Sequence, residues 1–117
     1  MSGIVGTSHS KSKVIGRSQD TAFAWAHYNQ DSSAVRNSFG LSSITDTATG
    51  KYTCIFSKTT GTTYYAAVGM ADGGYDVVFG HSAGRSTTQC EIRSLNVNSD
   101  NYEDNGWNSI IFFGDSL

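Results

Sequence analysis

The chain has 117 residues, with eight Lys and Arg against ten Asp and Glu, a formal net charge of −2. That length is one small domain, and the charge leaves no reason to expect nucleic acid, which needs a clustered basic face. Val, Ile and Thr together number 26 against 11 for Leu, Glu, Lys and Met, which excludes a helical bundle on propensity and points to an all-β chain. No apolar run exceeds five residues (Ala22 to Ala26, Tyr64 to Val68), where a helical span needs about 20, so no membrane insertion is expected.

Charge is distributed unevenly. Residues 1–20 hold Lys11, Lys13 and Arg17 against Asp20, whereas the remainder holds five basic and nine acidic residues. The difference divides the chain into an N-terminal arm, 1–20, and a head, 21–117. No stretch of seven apolar residues occurs in the arm, so it is not read as a secretory signal. Its two apolar pairs, Ile4 with Val5 and Val14 with Ile15, are too sparse to form a core. They suit an extended docking segment, whose aliphatic pairs enter pockets or add a strand to a sheet edge while Lys11, Lys13 and Arg17 meet an acidic surface.

Beyond the arm the apolar residues mostly alternate, the two-residue period of half-buried strands. Ala22 to Tyr28 places Phe23, Trp25 and His27 on one face. Val35 to Thr45 points Phe39 and Leu41 one way, and Ile44 breaks that parity, which predicts a bulge near Ser42 and Ser43. Asp46 to Gly50 reads as a hairpin loop with Gly at the position of positive φ. Lys51 to Lys58 follows, with Tyr52, Cys54 and Phe56 aligned. Thr63 to Ala71 aligns Tyr64, Ala66, Val68 and Met70, and ends at Asp72, Gly73 and Gly74. Tyr75, Val77 and Phe79 form a fifth run that loosens into a loop over Gly80 to Arg85. Thr87 to Val97 changes parity between Ile92 and Leu95, predicting a bulge or a change of sheet. After a polar loop, Asn98 to Gly106, the last run is Trp107 to Phe113, in which Ile110, Ile111, Phe112 and Phe113 are apolar on both faces.

About seven short antiparallel runs with regular turn signals predict a β-sandwich preceded by the extended arm. The doubly apolar last strand calls for a covering partner, and the absence of proline removes one common protection of sheet edges. Oligomerisation answers both.

Gly80, His81, Ser82, Ala83 and Gly84 match the nucleophile elbow G-x-S-x-G. The residues after it have strand rather than helix character, and His9, His27 and His81 all precede Ser82, against the hydrolase order. The loop is therefore read as non-catalytic. Asp100, Glu103 and Asp104 invite a calcium reading, but their spacing is not that of an EF-hand, and no metal or other cofactor is expected. Cys54 and Cys90 lack zinc-site spacing. They read as two inert core thiols, with one disulfide between them left open. Tyr64, Tyr65, Tyr75, Tyr102 and Trp107 offer an aromatic platform for sugar rings, and equally serve cores and interfaces.

Asn37, Ser38, Phe39, Gly40, Leu41, Ser42, Ser43, Ile44, Thr45 and Asp46, continued by Thr49, Gly50, Tyr52, Thr53 and Phe56, resemble the small β-domains of tailed-phage fibres and virion-associated proteins of marine phages. The similarity continues at Tyr65, Ala66 and Val68 and at Phe113, Gly114 and Asp115, and the opening Ser2 to Gly6 is similar to the N-termini of such proteins. The resemblance implies a homotrimeric, non-enzymatic component at the virion surface, joined to another virion protein. Its pattern would place an aliphatic and then a polar residue where Cys54 and Ile55 stand, so Ile55 implies a subunit contact, with Ile110, Ile111, Phe112 and Phe113 as its companions. The alternative function is host recognition through surface glycans by exposed tyrosines.

Overall fold

A computed structural model of the chain describes residues 22–114. These residues are all-β and antiparallel, as expected. The strands are β1 (Ala22–Asn29), β2 (Ala34–Phe39), β3 (Leu41–Ala48), β4 (Lys51–Phe56), β5 (Ala66–Met70), β6 (Asp76–Arg85), β7 (Gln89–Asn96), β8 (Asn101–Tyr102) and β9 (Asn108–Phe113). They follow one hydrogen-bonded path, β2-β1-β9-β5-β6-β7-β4-β3, with β8 added to β7. The sheet curls until it is nearly closed into a barrel, with β1 coming against β3. The two walls that separate sheets would make in a sandwich are here two halves of one curled sheet. The expected arm, 1–20, with Ile4, Val5, Lys11, Lys13, Val14, Ile15 and Arg17, lies outside the described residues.

Nine strands replace about seven for local reasons. The run from Val35 to Thr45 is cut at Gly40, which takes φ +74°, and a Cβ there would run into the Phe23 carbonyl. The bulge predicted beside it is present, as a register shift between Leu41 and Ser43. Gly50 holds the β3–β4 turn at φ +69°, also as predicted. The polar loop after Asn98 contains the short β8.

Three readings of the strands need correction. Gly80 to Arg85 is strand, not loop: β6 continues through it, and the mismatch with β7 is absorbed between Gly80 and Arg85. A Cβ on Gly80 would lie 3.0 Å from the Ala67 Cβ and 3.4 Å from the Cys90 Sγ, so that glycine answers to packing. No shift interrupts β7 between Ile92 and Leu95, because Ser94 takes the inward position and Leu95 pairs outside with Val77 and Tyr102. In β1 the inward face is Ala24, Ala26 and Tyr28, leaving Trp25 and His27 outside. Phe23 reaches the core although it shares their parity, since the register slips between Ala22 and Ala24.

The core unites Ala24, Ala26, Tyr28, Tyr52, Cys54, Phe56, Tyr65, Cys90, Ile92, Ile110 and Phe112. Its lower part is aromatic: Phe23 and Phe56 meet edge to face at 5.2 Å, Phe56 and Phe112 at 5.1 Å, and Phe56 and Tyr65 at 5.4 Å. Each such pair adds about 0.5–1.5 kcal/mol beyond the area it buries. Cys54 and Cys90 are opposite one another in β4 and β7, fully buried, and both are free thiols.

Candidate functional site

Strand direction gives the molecule two unlike ends. Ala22 pairs with Phe113, so the described chain begins and finishes at one end, beside the 57–65 connection. The turns 30–33, 49–50 and 71–75 and the 97–107 loop gather at the other. Of the acidic residues described, only Glu91 lies away from that loop end, which holds Asp31, Asp46, Asp72, Asp76, Asp100, Glu103 and Asp104.

A buried polar network supports this end from below. The Gln30 Oε1 accepts bonds from the Asn108 Nδ2 (2.8 Å), the Ser94 Oγ (2.9 Å) and the Asn105 backbone N–H (3.0 Å). Tyr52 donates its hydroxyl to the Asn108 Oδ1 at 2.5 Å. Burial raises the Tyr52 phenol well above its ordinary range, so it remains a donor at any physiological pH. The Asn105 side-chain amide, oriented to satisfy both partners, reaches Asp72 at 2.6 Å and Asp76 at 2.7 Å. Desolvation first, then Glu103 and Asp72, raises the Asp76 carboxyl above the usual carboxylate value.

The loop that invited a calcium reading uses two of its three acids for structure. Asp104 accepts the Gly50 N–H at 2.7 Å, and Glu103 accepts from Asn96 at 3.2 Å. Among the described residues no group of three or more His, Cys, Asp or Glu is arranged to hold a metal ion.

The five aromatics offered for sugar contact do not form one platform. Tyr65 is in the core, its hydroxyl 2.8 Å from the Ser86 carbonyl, and Tyr64 is exposed at the end where the chain begins and finishes. Tyr102 carries the Lys51 ammonium 4.7 Å from its ring centroid and the Arg93 guanidinium at 5.5 Å. Tyr75 and Trp107 remain exposed at the loop end, and Trp107 lies under Arg36 and against the edge of His27.

The expected interface residues are also divided. Ile110 and Phe112 are wholly buried inside the chain's own core and cannot contact another subunit, whereas Ile111 and Phe113 point outward. Ile55 is on the outside of β4, separated from β9 by β5, β6 and β7. Missed by sequence reasoning was the company that Ile111 keeps: Trp25 and Val68 flank it in register, and Phe39 lies beyond Trp25. The alternation of Val68 and Met70 with Ala67 and Gly69 was visible, but not which side faced out.

Ser82 is an exposed residue within β6, not the tip of a strand-to-helix turn. Its neighbour His81 faces Glu91, with Nδ1 3.3 Å from the carboxylate. Burial pushes both the Cys54 and Cys90 thiols up, which disfavours the reactive thiolate. Comparison with family models, with curated proteins and with solved structures finds no match for this chain.

Proposed function

We propose that the chain is a non-enzymatic structural protein of a tailed-phage virion, a homotrimeric fibre or decoration module attached to the particle through residues 1–20. The observation that carries this reading is the opposition of the two ends. The basic segment, with Lys11, Lys13 and Arg17, joins the head where Ala22 pairs with Phe113, and the loops are presented at the far end. A head tethered at one pole and displaying loops at the other is the arrangement an appended virion module needs, and a rigid β scaffold suits such display. The sequence resemblance across Asn37 to Phe56 supports the same assignment.

Deleting residues 1–20 should yield a folded head that is missing from purified particles, while the full chain is incorporated. Immunoblots or cryo-EM maps showing normal occupancy of the truncated protein would refute attachment through the arm. The second reading, glycan recognition on a host surface, is favoured by exposed Tyr75 and Trp107 at the loop end. Threefold presentation would add avidity without new contacts. A glycan array probed with the full chain separates it from a purely structural role.

A further inference from the structure

The outer surface of the curled sheet has two chemically different halves. Around β7 and β4 it carries Glu91, Arg93 and Lys51. Around β1, β9 and β5 there is no Asp, Glu, Lys or Arg at all within the strands. The register lines up Phe39, Trp25, Ile111, Val68 and Phe79 across five neighbouring strands. Met70 stands beside Ser109 in the next row, and Phe113 closes the face at the other side.

These side chains are left open by the monomer. Met70 is 70% exposed, Val68 59% and Phe39 56%, and Ile111 and Phe113 are each 39% exposed. With Val77 they present on the order of 600 Å² of apolar surface, the upper limit of what a monomer ordinarily shows. A standard interface takes about 800 Å² per partner, a little over half of it apolar, or roughly 450 Å². The face therefore has the area a stable contact requires.

We propose that this face is covered by further copies of the same chain, the strands β1, β9 and β5 of each copy turned toward a common axis. The inference rests on the reading of the chain as a self-assembling module and names the surface it would use. The uncharged strands β1, β9 and β5 can meet their own copies without a like-charge clash, and the outward aromatic and aliphatic side chains supply the apolar core that interfaces need. The chain's own residues 1–20 are a poorer cover, because Ile4, Val5, Val14 and Ile15 are their only large aliphatic residues. Strand β2, with all six residues exposed, continues the sheet to a free edge and brings in one charge, Arg36, which lies over Trp107 toward the loop end.

The test is sedimentation equilibrium of the full chain from 1 to 100 µM, comparing the parent with Val68→Lys, Met70→Lys and a control on the other half, Thr45→Lys. Val68 and Met70 are already exposed, so circular dichroism should show all three variants folded. The parent and the control should associate, and each face variant should weaken association at least 100-fold. Oxidation by dilute peroxide gives a reading without mutation: Met70 should be protected in the assembled parent and become reactive on dilution. A monomeric parent at 100 µM, or face variants that assemble like the parent, would overturn the proposal. A dimer broken by the same substitutions supports the face and overturns the threefold arrangement under Proposed function, whose particle-incorporation test is read separately.

Discussion

The two ends of the interior solve burial in opposite ways. Toward the end where the chain begins and finishes, Phe23, Phe56, Tyr65 and Phe112 form an aromatic cluster in which three rings have no polar atom to satisfy. Toward the loop end, Gln30, Ser94, Asn105 and Asn108 are buried and bonded chiefly to one another. The aromatic end gains from apolar burial, which has no directional requirement. The polar end gains little net energy from each bond, but loses the full desolvation cost of any group left without a partner. The difference teaches that the loop end is positioned by directional bonds and the opposite end by volume.

The largest expected effect is on volume. Phe112→Ala should destabilise the fold by about 3–5 kcal/mol, since it removes a ring that touches Phe23, Phe56 and Tyr65. Phe113→Ala, one residue on and pointing outward, should cost the folded chain only a fraction of that. Urea unfolding of the two variants at low protein concentration checks the contrast, and similar losses would mean that the faces of β9 are misassigned.

Breaking the polar end should cost less and be strongly coupled. Asn108→Ala removes the acceptor of Tyr52 and a donor to both Gln30 and Ser94, and about 1–3 kcal/mol is expected for buried partners left unpaired. Tyr52→Phe should cost about 1 kcal/mol alone and much less in the Asn108→Ala background. A double-mutant cycle measures the coupling, and strict additivity would count against a shared network.

The smallest effect sharpens the electrostatics of the loop end. The Asp76 carboxyl is raised in the folded chain by desolvation, by Glu103 and by Asp72, so the fold binds its proton more tightly than the unfolded chain does. That contribution to stability is fully present below the unfolded value of about 3.9 and is lost as pH rises through the folded value. Glu103→Gln removes one of the opposing charges while keeping an oxygen for Asn96. It should raise stability at pH 7 by less than about 0.5 kcal/mol and leave it unchanged near pH 3. Thermal melts across that range, repeated in high salt to screen the gain, provide the measurement.

Much of the architecture was legible in local residues. Alternation marked the strands of the head, because a strand facing two environments needs two residue types with period two. Gly50 and the Ser42–Ser43 bulge were readable for the same reason that they occur, positive φ in one case and broken parity in the other. Of the candidate surfaces, the last strand was legible as apolar on both faces, but not that Ile110 and Phe112 turn inward and Ile111 and Phe113 outward, nor the face these two share with Trp25, Phe39 and Val68. That face joins strands far apart in sequence, and no local pattern encodes which strands will be neighbours.

The sequence by itself determined that this chain is all-β, with Tyr52, Cys54 and Phe56 on one face and a basic segment set against an acidic head, since these follow from residue type and spacing. Tertiary structure alone decided which face turned inward. The small Ala24 and Ala26 occupy the core because Ile110 and Phe112 of the adjacent strand fill the space beside them, which leaves Trp25 and His27 outside against hydrophobicity alone. It also placed Ser94 inward and Leu95 outward, where Gln30 and Asn108 supply the bonds that make a buried hydroxyl tolerable. Burial is a property of the neighbours a residue meets, and those neighbours are set only when the whole sheet closes.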